Sequence, residues 1–216
     1  MGLCWLMDPN YKNIENKNGD SGSVLVYGNY NSDKNLVVER IYKYLPVDFK
    51  ASTESKFYQF SLTKYTCLRP PCPIYTGYEL NTNKSVALMN ITSNYDGIYF
   101  DTNWFQARII DREEHRLISR GYSDKRSNFQ IENAFVHLPD PYTSCTKIEH
   151  QNCNKNQTET FTRDSNRCYK SEGCFPKITC NQLTPHCENG YTLVNWTKTD
   201  GCLNFVCDFM LLDTTK

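Results

Sequence analysis

The sequence predicts an α+β protein, mainly antiparallel β with one short helix per repeat, followed by a disulfide-rich C-terminal module. Three observations point there. Residues Asn128 to Leu138 alternate as a strand does, with Phe129, Ile131, Asn133, Phe135 and His137 on one face and Gln130, Glu132, Ala134, Val136 and Leu138 on the other. Cys4 to Pro46 match Gly97 to Pro139 without gaps at an offset of 93, with seven identities in 43 positions, among them Asp8/Asp101, Gly28/Gly121, Glu39/Glu132 and Pro46/Pro139. Eight of the eleven cysteines, Cys145, Cys153, Cys168, Cys174, Cys180, Cys187, Cys202 and Cys207, crowd the last third of the 216 residues.

In each copy an apolar triplet, Trp5-Leu6-Met7 or Ile98-Tyr99-Phe100, runs into an aspartate suited to cap a helix, Asp8 or Asp101, and Pro9 fits a first helical position. A short helix is expected after each. Strands follow over Val24 to Tyr30 and Leu36 to Tyr44, matched by Leu117 to Tyr122 and Phe129 to Val136, and Gly28 and Gly121 read as the points where a strand ends and its hairpin turns. Phe57 to Thr66, Tyr75 to Leu80 and Val86 to Ile91 read as three more strands, split by Arg69-Pro70-Pro71 and by Asn81 to Lys84. The resulting division is 1–46, a partial and N-terminally truncated repeat of the following domain; 47–140, the full α+β domain; and 141–216, a cysteine-rich module stapled by disulfides. Truncation would also explain why Met1 to Met7 lacks the basic start and apolar length of a signal peptide, which is then expected upstream.

The succession Arg40-Ile41-Tyr42-Lys43-Tyr44-Leu45-Pro46, Phe57-Tyr58, Cys67-Leu68-Arg69-Pro70-Pro71-Cys72-Pro73 and Glu79-Leu80-Asn81 resembles the family of the domain of unknown function 6748. The resemblance spans about residues 38 to 139. It implies an exported, β-rich domain and carries no catalytic residue across, since that family has no assigned activity. Cys4 departs from the repeat, where its partner position is Gly97.

Cysteine density of this kind marks an oxidising compartment, and four N-x-S/T sequons, at Asn83, Asn90, Asn156 and Asn195, point independently to the secretory route. The expected localisation is extracellular. Cys67 and Cys72 enclose four residues that would hold them about 15 Å apart if extended, so a local bond between them needs a sharp turn; pairing of each into the rest of the domain is the alternative. The eight later cysteines allow on the order of a hundred connectivities. Their spacings, 7, 14, 5, 5, 6, 14 and 4 intervening residues, offer no paired zinc knuckles, so neither metal nor cofactor is expected. Cys187-x2-Gly190-Tyr191 and Gly201-Cys202 are similar to small disulfide modules, some protease inhibitors included.

Lys+Arg and Asp+Glu balance at 24 each, which leaves no long-range field for nucleic acid, and no apolar run reaches the roughly 18 residues of a membrane span. Gly19-Asp20-Ser21-Gly22-Ser23 imitates a serine-protease nucleophile motif, but no histidine precedes His115 to serve as its base. His115, His137, His150 and His186 lack metal spacing, and the run Asp111 to Arg116 reads as a solvated helix end. Most of the tyrosines in predicted strands, such as Tyr27, Tyr42, Tyr44 and Tyr58, read as cross-strand core pairs. No catalytic constellation is legible. The functional expectation is therefore a secreted or cell-surface glycoprotein that binds an extracellular protein or carbohydrate without enzymatic activity. A protease inhibitor is the first alternative, with Arg69 in the Cys67 to Cys72 loop presented to an enzyme although Pro70 fits the following subsite poorly. A hydrolase with a spatially assembled acid pair is the second.

Overall fold

The computed structural model describes residues 4–7, 24–49, 51–64, 66–95, 99–140 and 144–209, the first four through their backbone alone. In chain order these form β1 (Cys4–Met7), β2 (Val24–Tyr30), β3 (Leu36–Tyr44), β4 (Lys56–Leu62), β5 (Tyr75–Glu79), β6 (Ser85–Leu88), β7 (Asn90–Ser93), α1 (Thr102–Ile109), β8 (Leu117–Ser123), β9 (Asn128–His137), β10 (Gln157–Arg163), β11 (Tyr169–Pro176), β12 (Tyr191–Thr197) and β13 (Leu203–Phe209). The fold is mostly antiparallel β, with a single short helix among the described residues. It divides into two compact units, Met1–Asn94 with Arg108–Leu138 and Tyr95–Ala107 with Pro139–Lys216.

The first unit is a nine-stranded sheet in the order β1-β2-β3-β9-β8-β4-β5-β6, with β7 laid parallel against β9. Side chains alternate, so its strands feed two cores, and the slip of β9 against β8 between Arg120 and Gly121 sets Phe129 and Phe135, expected on one face, on opposite ones. On one face Leu25, Tyr42, Ile118 and Phe135 form a buried cluster, with Tyr27, Tyr44, Phe57 and Leu80 packed on it. On the other, the Phe129 ring meets Tyr58 and Phe60 edge-on at centroid distances of 4.9 and 4.8 Å. Tyr42 and Tyr58 are thus core, whereas Tyr30 is exposed.

β3 and β9 meet only at their C-terminal ends, Tyr42↔His137, Lys43↔Val136 and Tyr44↔Phe135. Subtracting 93 from positions 135, 136 and 137 returns 42, 43 and 44, so the register is symmetric about the Lys43↔Val136 pair. The flanking bonds repeat accordingly: Leu45 N–H donates to the Ala134 carbonyl at 2.9 Å, and Leu138 N–H to the Ile41 carbonyl at 3.1 Å. The buried quartet is likewise two such pairs, Leu25 with Ile118 and Tyr42 with Phe135.

Gly28 and Gly121 do not end their strands. Each lies inside one, at a bulge where the ladder slips between Tyr27 and Gly28 and between Arg120 and Gly121. A Cβ at Gly28 would stand 2.0 Å from the Val37 carbonyl oxygen, and one at Gly121 would stand 1.9 Å from that of Gln130, so only glycine lets the neighbouring backbone come so near. The turns lie beyond, at Asn31 and Asp124. Asn31 Oδ1 accepts from the N–H groups of Asp33 and Asn35, and Asp124 Oδ1 from those of Arg126 and Asn128. Lys34 and Ser127 take the left-handed conformation that completes each turn.

Other expectations are corrected by the packing. Val86 to Ile91 is not one strand: β6 ends on the β5 edge, and the chain crosses at Met89, whose N–H bonds the Ser127 carbonyl, so that β7 joins β9 instead. The segment that holds beside β8 the place β1 holds beside β2 is β4; Cys4, Trp5 and Leu6 oppose Gly28, Tyr27 and Val26 as Lys56, Phe57 and Tyr58 oppose Gly121, Arg120 and Ser119. The expected helix after Asp101 is α1, capped where the Asp101 carboxylate accepts from Trp104 N–H at 3.1 Å. Its counterpart after Asp8 lies outside the described residues, as does the Gly19 to Ser23 motif. Asp111 to Arg116 is no helix end, since α1 stops at Ile109. His115 is half-buried there with φ 52°, stacked on Tyr27 and hydrogen-bonded to Gln59, and burial with nearby Arg40 and Arg112 holds its pKa below the ordinary value.

The second unit holds two hairpins, β10–β11 and β12–β13. Its core is aromatic and takes in the residues around the start of α1. Phe100 lies within 5.1 to 5.8 Å of Tyr95, Trp104, Phe105 and Tyr191, and Tyr191 in turn packs on Phe209.

The two bulges generate a prediction. Gly28→Ala and Gly121→Ala should each destabilise the protein by about 2 kcal/mol or more, because backbone and not a movable side chain blocks the methyl group. Chemical denaturation would check it; midpoints equal to that of the unsubstituted protein would contradict the bulge assignment.

Candidate functional site

Two hairpins in one covalent pattern build the cysteine-rich unit. Cys145 bonds Cys168 and Cys153 bonds Cys174; Cys180 bonds Cys202 and Cys187 bonds Cys207. First pairs with third and second with fourth, twice over, at sequence separations of 23, 21, 22 and 20. In each set a lead-in segment is tied at two points to the hairpin that follows it. Constraining loops of this length stabilises by about 3 kcal/mol per bridge in the chain-entropy account. The near-repetition of 7, 14, 5 and 6, 14, 4 intervening residues was the sequence signal for this arrangement, and spacing read only against zinc knuckles overlooks it.

The turns repeat too. Asp164 and Lys198 each donate their N–H to the carbonyl four residues on, Cys168 or Cys202, and accept from the third, Arg167 or Gly201, both with positive φ. Asp164 Oδ1 also accepts from Asn166 and Cys168 N–H.

Under the hairpins lies a buried ion network that the sequence reading missed. Arg163 makes a bidentate pair with Asp208, at 3.0 and 2.5 Å, and reaches Asp101 at 3.2 Å. Arg167 stands 3.4 Å from the same Asp208 and donates to the Asp140 carbonyl, while Trp104 Nε1 donates to the Asp140 carboxylate. Burial works against the Arg163 charge, and the Asp208 carboxylate more than offsets it, so its pKa is raised. Tyr169 and Trp196 flank the guanidinium at 5.4 and 5.5 Å from their ring centroids. These acids are occupied in holding β10, β13 and the start of α1 together.

On the outer side of β10, Glu159 gathers three donors. Ser171 Oγ and Gln151 N–H bond one carboxylate oxygen and His150 Nδ1 lies 3.0 Å from the other; the Ser171 bond first, then His150, lowers its pKa. Serine, histidine and carboxylate meet here in the wrong order for nucleophilic catalysis, since both partners engage the carboxylate and no imidazole faces the hydroxyl. His137 is buried against Tyr42, and His186 is exposed. A concavity of about 330 Å³ in the first unit contains a single acid, Glu79, paired with Lys56 at 3.0 Å.

What the surface presents is loops. Cys67 and Cys72 are bonded with Cα atoms 5.7 Å apart, which closes a loop that leaves Leu68 96% exposed and Arg69 exposed beside it. Between Cys180 and Cys187, Leu183 is 95% exposed. The sequon residues Asn83, Asn90, Asn156 and Asn195 are all exposed, and none uses its side-chain amide in a hydrogen bond among the described residues.

Fold and site together define a disulfide-rich, mostly antiparallel β protein in which no described helix is long and apolar enough to cross a membrane. An uncharacterized protein of Dictyostelium discoideum is 31% identical to it over 182 residues, 82% of this chain and 63% of that protein, so the chain spans less than two thirds of the relative's length. No family model and no solved structure matches.

Two predictions follow from the ion network and from Glu159. Arg163→Met leaves Asp208 buried without its bidentate partner and should cost about 3 kcal/mol in urea unfolding, with Arg163→Met/Asp208→Leu recovering part of the loss. Because the Glu159 pKa is lowered on folding, its contribution is present above the unfolded value and disappears as pH falls through the folded one. Protection of the Gln151 amide, taken relative to its intrinsic exchange rate, should therefore fall as pH drops below the ordinary glutamate range, and Glu159→Gln should abolish that loss of protection.

Proposed function

We propose that this protein is a secreted or cell-surface glycoprotein that binds an extracellular protein or carbohydrate through its disulfide-framed loops and performs no catalysis. One observation carries the reading: the two most exposed large hydrophobic side chains among the described residues, Leu68 and Leu183, both stand in short cysteine-bounded loops. Scattered apolar surface is ordinary, but a leucine held almost wholly in water on a covalently restrained loop loses little entropy on binding and suits an anchor. Four exposed sequon asparagines and five disulfides support the secretory route. An internal duplication belongs to the same reading, supported by the matched bulges, turns and core pairs at an offset of 93. So does membership of the family of the domain of unknown function 6748, whose motif residues fall on β3, β4, the Cys67–Cys72 loop and the end of β5.

The alternative of protease inhibition draws on the exposure of Arg69 in that closed loop. One set of measurements separates the readings. Protein expressed with a leader in eukaryotic cells should enter the medium, lose mass on glycosidase treatment and gain the mass of five reduced disulfides. On extracellular-protein and glycan arrays its signals should fall at least about tenfold in Leu68→Ser/Leu183→Ser. Free thiols throughout, or array signals indifferent to both leucines, would overturn the proposal. Inhibition of a trypsin-like protease that vanishes in Arg69→Ala would replace it with the inhibitor reading.

A further inference from the structure

β3 is longer than its overlap with β9. Tyr42–Tyr44 pair with β9, but Leu36–Arg40 run past that overlap with β2 on one side and, among the described residues, no hydrogen-bonded strand on the other. On β9 the counterpart stretch, 93 positions on, has the same edge filled. There β7 lies in parallel from Asn90↔Asn128 to Ser93↔Ile131, closed at its ends by Met89 N–H on the Ser127 carbonyl and Asn94 N–H on that of Ile131. The equivalents of Ser127 and Ile131 are Lys34 and Val38.

The main chain of this edge is oriented for a partner. Asn35 accepts from Asn31 N–H within the hairpin, so by strand alternation the N–H and C=O groups of Leu36 and Val38 point away from β2. The side chains are apolar where those of β9 are mixed. Val37, 51% exposed, stands where β9 has Gln130, which bonds Thr92 of β7 and Asn94. Glu39, the nearest acid, is held by Asn29 Nδ2. An apolar strand edge without a charge aimed across it is a template for a further strand.

We propose that the Leu36–Val38 edge of β3 is a docking seat for an extended segment of a partner protein. The segment lies parallel to β3, as β7 lies on β9, bound by main-chain hydrogen bonds to Leu36 and Val38 and presenting an apolar side chain to Val37. A second copy of this chain fits the seat poorly. Antiparallel self-pairing centred on Val37 sets Lys34 against Arg40, and centring it on Val38 sets Leu36 against Arg40 and Val37 against Glu39. The seat uses none of the residues of the exposed loops and does not depend on their function.

The test uses the full ¹⁵N-labelled chain and a synthetic peptide of the sequence Leu88–Asn94 carrying Thr92→Val, the segment that fills the equivalent seat adapted to meet Val37. Saturable shifts are expected at the amides of Leu36–Arg40 at peptide concentrations up to about 1 mM, absent with the scrambled peptide. Val37→Lys should weaken binding at least about tenfold, and Leu36→Pro, which removes one outward donor, should abolish it; unchanged shifts at Tyr42–Tyr44 and in the disulfide unit would show that both variants keep their fold. No saturable shift at Leu36–Val38, or binding unaffected by Val37→Lys, overturns the proposal. Concentration-dependent shifts at the same amides without peptide also overturn it and place a second copy in the seat.

Discussion

Register is the constraint on which everything else in this protein rests, and one turn geometry sets it four times. The hairpins β2–β3, β8–β9, β10–β11 and β12–β13 all close through a pair of main-chain bonds spanning three and four residues. In each a residue one or two positions before the returning strand is left-handed: Lys34, Ser127, Arg167 or Gly201. A slip of one residue would turn every following side chain to the opposite face. In the first unit it would move Gly28 and Gly121 off the carbonyls they make room for. In the second it would carry Cys174 and Cys207 away from the cysteines of their lead-in segments.

The two units meet the demand for burial differently. The sheet of the first is wide enough to bury aromatic and aliphatic side chains on both faces, from Leu25, Tyr42, Ile118 and Phe135 on one to Tyr58, Phe60 and Phe129 on the other. The second has two short hairpins and few aliphatic residues. It relies on rings packed edge to face around Phe100, on four disulfides that restrict its unfolded chain, and on an arginine whose desolvation is offset by Asp208 and by two aromatic neighbours. Rigid frames of this kind suit the display of short loops, which is how Leu68 and Leu183 come to stand in water.

Much of the fold was legible in the residues, and the failures have physical causes. Alternation placed β9 and most other strands, and the capping carboxylate of Asp101 placed α1. The offset of 93 correctly paired Gly28 with Gly121, but glycine in a strand signals either a turn or a close backbone approach, and only the carbonyls of Val37 and Gln130 decide between them. β7 was hidden inside a longer apolar run, because nothing local marks the residue at which a chain leaves one neighbour for another. The tandem pattern of the cysteines was present in their spacing. Arg163 had no local signature, since its partners Asp208 and Asp101 lie 45 and 62 positions away.

By itself, then, the sequence determined the strand-rich class, the short helix after its aspartate, the disulfide-dense character of the last third and the absence of a long-range charge field. These are properties of composition and of periodicities a few residues long. Tertiary structure alone decided which cysteine meets which, that β4 and β1 hold matching places, that Asp101, Asp208 and Arg163 share one buried site, and that β9 is covered by β7 along an edge whose counterpart on β3 has no strand partner among the described residues. Each of these depends on contacts between residues far apart in the chain, and such contacts are chosen by the shape and register of the whole assembly.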